Sequence, residues 1–485
     1  MTVPASPQRP PTGLDPLYVD LDGSLLATDS LHEGLVGIVA RQPWLALALP
    51  VWLAGGKAAF KTKVASAAEL DPATLPYREQ VVEHLRAERQ AGRSIVLATG
   101  APRSMAEPIA RHLGFFDAVL ATDGPVNLTG AAKLAAIERH AQGPFQYLGN
   151  SAVDLPIWRK ASQALTVAVP TGVANTLVRE GVASTELVPR RPAGLMTWLR
   201  AFRVHQWAKN LLMFVPSFTA HVMGNPGVPA NLAIGFISFS FLASSIYLIN
   251  DMVDLPNDRS HPTKRDRPFA SGSLPVLHGA LLVPVLVTAA ALLAARLPSE
   301  FQWLIAGYLV LTTAYSFWLK RVMALDTVLL ASLYTIRIAA GGAAIAVTVS
   351  PWLFAFSMFF FLSLAMVKRT GELVALGPRL DETNVKGRGY RTSDLEAVSA
   401  LGTASAYASV VVLTLYVNGS TDAQTLYRHP GLLYLICPVI LYWVTRIWIL
   451  ARRGEVREDP VVFAIKDRVS YFALAAIAGI TRLAT

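Results

Sequence analysis

A chain of 485 residues is longer than a usual single domain, and its 53% hydrophobic content averages two unlike halves, a mixed one to about residue 190 and then apolar runs separated by charged loops. The formal charge of +10 is spread through those loops rather than collected in one patch, which excludes nucleic acid as a partner and points to membrane topology and anionic ligands. The one cysteine, Cys437, lies in an apolar run and excludes an intrachain disulfide and a multi-cysteine zinc site.

Residues 1–16, rich in proline and without the apolar core of a secretory signal, read as a flexible leader. LYVDLDGSLLATD at 17–29 reads as a short buried strand ending in an acidic, Gly-containing turn. Of two carboxylates so placed, Asp20 and Asp22, one can attack a phosphorus atom while the second handles the leaving-group proton, and Mg²⁺ would hold nucleophile and phosphate in place. RSIVLATGAP at 93–102 is a second strand, followed by Thr99 and Gly100. TGAAKLAAI places Lys133 at a helix start, and FQYLGNSAVDLPIWRKA at 145–161 ends a third strand at Asn150 and Asp154.

These four stretches, in this order over residues 17–175, resemble the motifs of the haloacid dehalogenase (HAD) phosphatases. The resemblance implies an α/β Rossmannoid domain over 17–190 with a helical cap. It also implies that Thr99 and Lys133 bind phosphate and that Asp20, Asp22, Asn150 and Asp154 surround Mg²⁺. Many HAD phosphatases carry Asp where Asn150 stands, so one anionic ligand becomes neutral, although its carbonyl can still coordinate. The cap falls between Asp22 and Thr99. Within it the apolar stretch 34–60, broken by Arg41, Gln42 and Pro43, is too short on either side to span a bilayer and reads as buried cap helices, with docking at a membrane surface as the other reading.

RRPAGLMTWLR at 190–200 reads as the junction to the second half, 191–485. From there roughly nine apolar runs follow, at 207–223, 230–249, 277–295, 301–318, 325–347, 352–367, 397–417, 431–450 and 466–483. The second, fourth, sixth and eighth connections carry most of the basic residues. The positive-inside rule therefore places those connections, the carboxylate-rich segment and the amino-terminal domain in the cytoplasm, with the protein in the inner (cytoplasmic) membrane.

The second run ends in NDMVDLPNDRSHPTKRDRP. Carboxylates at the mouth of a membrane helix are costly. If the helix continues two turns, Asn250, Asp254 and Asp258 share a face with Asp251 beside them. Hard oxygen ligands in that pattern suit Mg²⁺ completed by a substrate's phosphates, and Arg259, His261, Lys264, Arg265 and Arg267 supply charge for the remainder. A solvated loop needs no carboxylates at this spacing. The stretch reads as a diphosphate site at a membrane surface.

NDxxDxxxD after a membrane helix resembles the UbiA superfamily of intramembrane prenyltransferases. With RVHQWAKNLLMFVP at 203–216 and YSFWLKRVMALD at 315–326, the resemblance is to its decaprenyl-phosphate phosphoribosyltransferase branch, over roughly 196–485. It implies an all-α polytopic domain of about nine helices, catalytic Asp254 and Asp258, and metal ligands Asn250, Asp251, Asp254 and Asp258. Substrate contacts fall on Lys209, Asn210, Asn250, Arg259, His261, Lys264, Arg267, Tyr315, Lys320, Lys368 and Arg369. Juxtamembrane Lys209 and Trp207 otherwise read as interfacial anchors. Arg337, inside the fifth run, calls for an anion or a water-filled cavity, while Gly341 and Gly342 read as close-packing positions.

Many UbiA enzymes that use prenyl diphosphates carry a second acidic motif after the sixth run. Here MVKRTGELVAL puts Lys368, Arg369 and Glu372 in its place, and Asp381, Glu382 and Asp394 lie beyond. Cations at that position bind an anion directly, which suits phosphoribosyl diphosphate at the acidic motif and a polyprenyl phosphate near the basic residues. The expected protein is a bifunctional Mg²⁺-dependent membrane enzyme: a polyprenyl-phosphate phosphoribosyltransferase fused to a phosphatase, making a cell-wall pentose (arabinan) donor precursor. The alternatives are a prenyltransferase acting on an aromatic or other acceptor, and a single-activity transferase with a non-catalytic HAD module. An oligomer is compatible with either.

Overall fold

The computed structural model describes residues 13–123, 127–376, 389–456 and 459–485. Asp381 and Glu382 lie outside the described residues. The chain divides into two compact units, Met1–Phe202 with Tyr247–Leu282, and Arg203–Ile246 with Val283–Thr485.

In the first unit a six-stranded sheet has the order β3-β2-β1-β4-β5-β6, with β1 Leu17–Val19, β2 Ile95–Pro102, β3 Ala118–Thr122, β4 Gln146–Gly149, β5 Gln163–Val167 and β6 Ser184–Val188. Every pairing is parallel. Strands buried on both faces read as continuous apolar runs, and LYV and IVLA do so because helices cover each side. The two faces carry separate cores, one around Leu17, Val19, Leu97 and Leu148 and the other around Tyr18, Val96, Tyr147 and Trp158. Between β1 and β2 the cap is helical, with helices Ser30–Arg41, Leu49–Ala54 and Lys57–Ala67. It differs from the sequence expectation in one respect. The apolar stretch is not all buried: Ile38 is, whereas Trp44, Leu47, Val51 and Leu53 face outward.

The second unit is helical. Among the described residues six helices are long and apolar enough to cross a membrane by length and composition: Val228–Val253, Val276–Ala294, Leu325–Ala344, Pro351–Leu376, Thr392–Gly419 and Pro430–Arg452. The first two also contribute their ends to the first unit. The other three of the nine apolar runs form shorter or more polar elements. Residues 207–223 begin as the tight 3-10 helix Val204–Phe214, Arg468–Ala484 is only 17 residues long, and Ser299–Phe317 is diluted by Glu300, Gln302 and several hydroxyls. Outward-facing Leu281, Val285 and Leu292 on Val276–Ala294 form the kind of surface that hydrocarbon would cover.

Glycine permits the closest approach here. A Cβ on Gly341 would stand 2.0 Å from the Met213 carbonyl oxygen, so the helix Leu325–Ala344 packs directly on the backbone of Val204–Phe214. Arg337, one turn earlier, departs from the sequence expectation. Its guanidinium donates to the Asn210 side-chain oxygen at 2.9 Å, to the Tyr308 hydroxyl at 3.0 Å and to the Leu333 carbonyl. It also lies 5.1–5.7 Å from the ring centres of Tyr308, Phe239 and Tyr334. Aromatic faces and neutral acceptors hold this cation.

Candidate functional site

The carboxyl ends of β1, β2 and β4 meet where the strand order reverses direction, the place where open parallel sheets bind ligands. Asp20 follows β1, Thr99 lies in β2 and Asn150 follows β4. All of Asp20, Thr99, Lys133 and Asp154 are buried. Lys133, in the helix Ala131–Ala141, donates to Asp20 Oδ1 at 2.7 Å and to the Tyr147 hydroxyl at 3.0 Å. Tyr147 donates in turn to Asp154 Oδ1 at 2.8 Å. The other Asp154 oxygen accepts from the Asn150 and Ser151 backbone N–H groups at 3.1 and 3.0 Å.

Burial works against the charge on Lys133, but Asp20 and Asp154 outweigh it and hold its pKa above the ordinary value. Asp22 turns the other way and accepts from the Ser30 N–H at 2.7 Å, at the start of the first cap helix. Burial first, and then repulsion from Asp29, push Asp22 up to about 7, a range in which a carboxyl group can both give and take a proton. Gly23 closes the turn at φ +77°. A Cβ there would stand 2.0 Å from the Asn150 amide nitrogen, so the Asn150 side chain lies directly over the turn. Thr99 accepts from the Ala101 N–H at 3.0 Å. Asp20, Asn150 and Asp154 offer hard oxygen atoms of the kind Mg²⁺ takes.

In the acidic segment the helix runs to Val253, bends at Asp254 and resumes as Leu255–Arg259. Helical bonding carries through the bend, from Asp254 N–H to the Asn250 carbonyl at 2.9 Å and from Asp258 N–H to the Asp254 carbonyl at 2.8 Å. Seven residues apart, Asp251 and Asp258 fall on one face, both buried. Arg267 bridges them with one nitrogen, at 3.1 and 2.6 Å. Asn250 and Asp254 are half-buried. Two carboxylates converging on one cation are a donor set suited to Mg²⁺ plus diphosphate. Among the described residues no three His, Cys, Asp or Glu side chains form a ready metal cage. His261 and Lys264 are exposed. Arg259 points elsewhere: it forms a buried two-pronged ion pair with Glu33 at 2.7 and 3.1 Å, and Thr28 donates to the same Glu33 at 2.8 Å.

The second unit gathers other predicted residues around acids that the sequence reading did not assign. Lys209 donates to Asp459 at 2.7 Å, Lys368 lies 3.9 Å from it, and Tyr334 donates to both of its oxygens at 2.8 and 2.9 Å. Burial works to raise the Asp459 carboxyl, but Lys209 and Lys368 hold it well below the usual carboxylate range. Asn210 donates to Ser240 at 2.9 Å. Fully buried Arg369 pairs with Asp326 at 2.7 Å and with Glu372, and reaches Tyr315 at 3.4 Å. Lys320 sits half-buried in the turn Leu319–Arg321. Sequence spacing could not have found Tyr147 or Asp459, because each joins its partners only through tertiary folding. The one local cue at Asp459 is its place before Pro460, where it caps a helix by accepting from Val461 N–H at 3.2 Å.

The folds and side chains define a phosphatase-like α/β domain joined to a polytopic helical transferase domain. The chain belongs to the UbiA prenyltransferase family, whose model matches residues 213–466, and carries a haloacid dehalogenase-like hydrolase domain matched over residues 18–159. It is similar to the uncharacterized protein y4nM of Sinorhizobium fredii, with 38% identity over 96% of this chain and 90% of that one. Nodulation protein NoeC of Azorhizobium caulinodans is 35% identical over 58% of this chain and 91% of its own. The decaprenyl-phosphate phosphoribosyltransferase of Mycolicibacterium smegmatis is 32% identical over 57% of this chain and 89% of its own.

Proposed function

We propose that this chain is a bifunctional membrane enzyme that transfers 5-phosphoribose from phosphoribosyl diphosphate to a polyprenyl phosphate and then removes the 5-phosphate. The observation that carries the reading is the asymmetry of the transferase half. It has one acidic cluster, at residues 250–258, while Lys368 and Arg369 stand where a second would serve a prenyl diphosphate. The likeness to a decaprenyl-phosphate phosphoribosyltransferase supports the same substrates.

In the transfer step the bond from ribose C1 to the diphosphate oxygen breaks, and a bond from C1 to the lipid phosphate oxygen forms. Asn250, Asp251, Asp254 and Asp258 would hold Mg²⁺, which would supply charge neutralisation for the departing diphosphate. Arg267, already between two of these carboxylates, is placed to follow the leaving charge. Lys209 and Lys368 take the lipid phosphate, exchanging Asp459 for it. His261 and Lys264, exposed beside the acidic segment, add charge for the outer phosphate oxygens.

In the second step Asp20 attacks the 5-phosphorus atom and Asp22 protonates the ribose oxygen as it leaves. Asp22 then takes a proton from the water that hydrolyses the aspartyl phosphate. Lys133 and Thr99 hold the phosphate oxygens, and Asp20, Asn150 and Asp154 would hold Mg²⁺ there, whereas Asp22, expected among the ligands, is turned to the Ser30 N–H and serves the proton transfer. The functional division falls near residues 190–191, with nine membrane crossings, the basic connections and the phosphatase domain on the cytoplasmic side of the inner membrane.

The test is a membrane assay with labelled phosphoribosyl diphosphate, polyprenyl phosphate and Mg²⁺, following the lipid fraction. The reading expects label in lipid without its 5-phosphate in wild type. No label in any lipid, with the protein folded, would overturn it.

A further inference from the structure

The cap of the first unit closes a small core from Ile38, Val64, Ala65 and Met105, with Leu35, Leu45, Trp52 and Phe60 packed against it. That core uses one face of the apolar stretch. The opposite face is left outside: along the 3-10 helix Pro43–Ala48 and the helix Leu49–Ala54, Trp44 is 64% exposed, Leu47 83%, Val51 69% and Leu53 59%. Leaving such side chains in water forgoes the free energy that their burial would release. Four within one short stretch make a patch of the kind that marks an interaction surface rather than a scatter of single residues.

Three observations decide what covers it. The same chain carries six helices able to cross a membrane, so a bilayer is tethered to this domain at high effective concentration. A tryptophan beside bare aliphatic side chains, with no charge from Pro43 to Ala54, is the composition of a segment lying in a membrane interface, and neither element is long enough to span one. Exposed Lys63 follows the patch, where anionic headgroups would meet it, while Arg41 before it is paired at the surface with Glu69.

We propose that Trp44, Leu47, Val51 and Leu53 form a membrane-surface anchor that seats the cap in the headgroup and acyl boundary of the bilayer. Resting on the function proposed above, the anchor holds the Asp20 site at the surface where a lipid-linked sugar phosphate presents its 5-phosphate. The phosphatase then takes its substrate from the membrane plane without extracting the lipid.

The test uses the full chain reconstituted in vesicles of phosphatidylcholine and phosphatidylglycerol. In a Cys437→Ser background, an environment-sensitive fluorophore is attached at Leu47→Cys or, for reference, at Asn175→Cys in the exposed helix Thr171–Arg179. The anchor predicts blue-shifted emission at position 47, quenched by doxyl-labelled lipid, and neither effect at 175. Emission at 47 matching that at 175 would overturn it, as would shielding at 47 that resists lipid quencher and rises with protein-to-lipid ratio, which would mark contact between copies.

A second measurement reads function. Leu47→Glu with Val51→Glu should raise the KM for a lipid-linked phosphate at least about tenfold and leave hydrolysis of a small soluble phosphate ester unchanged. An unchanged lipid KM would overturn the substrate-presenting role. If wild type hydrolyses neither ester, the phosphatase reading fails, while the quenching still decides the anchor.

Discussion

The two acidic sites are built in opposite ways. At the sheet, Asp20, Lys133, Tyr147 and Asp154 come from four separate elements and reach one another through bonds of 2.7–3.0 Å, so the cluster is assembled before any ligand arrives. In the acidic segment Asn250, Asp251, Asp254 and Asp258 are sequence neighbours along one bent helix, and Arg267 bridges Asp251 and Asp258. A parallel sheet gathers distant residues at its strand ends, whereas a helix presents near ones along its face. The first site is thus tied together by side chains from distant positions, and the second rests on one helix and one arginine.

The sharpest way to break that comparison is to remove one carboxylate from each site. Asp20→Asn should lower dephosphorylation by about a thousandfold or more while leaving the transfer intact, and Asp254→Asn should abolish transfer. Lipid-bound label still carrying its 5-phosphate in the first variant and no label in the second is the expected pattern. Loss of transfer as well as dephosphorylation in Asp20→Asn would mean that the sites are not separate.

The next effect is on stability. The Arg259–Glu33 pair is nearly fully buried, 9% and 5% exposed. Glu33→Gln should therefore cost about 3 kcal/mol in thermal or denaturant unfolding, because it strands a buried guanidinium. A change below about 0.5 kcal/mol would show that the pair is open to water in solution.

Smaller still is Tyr147→Phe. It removes the hydroxyl between Lys133 and Asp154 and should cost about 1–2 kcal/mol, with a several-fold fall in phosphatase turnover and no change in transfer. The least disruptive substitution is Asn150→Asp, which restores a carboxylate. It should shift the Mg²⁺ concentration giving half-maximal hydrolysis downward by a few-fold, read in a metal titration. An unchanged titration would indicate that residue 150 does not touch the metal.

Much of the first unit was legible because its chemistry sits at strand ends, where a buried run followed by Asp20, Thr99 or Asn150 has a recognisable local form. Tyr147 was not legible. It lies within β4 as an ordinary buried aromatic, and only the packing of the helix Ala131–Ala141 brings Lys133 to it. The segment 34–60 was half legible: its apolarity foretold helices but could not say which face the cap core would consume. Arg337 misled in an instructive way, since hydropathy marks a cation in an apolar run but gives no sign of the aromatic cage that holds it.

By itself, the sequence determined the two-part organisation, the succession of apolar runs and the acidic and basic motifs, because each is a property of neighbouring residues and of composition. Only the tertiary structure decided which charges meet. It paired Lys209 with Asp459 across 250 positions and Arg259 with Glu33 across 226, and it left Trp44, Leu47, Val51 and Leu53 uncovered. Burial and partner choice depend on which surfaces the folded chain brings together, and no local spacing carries that information.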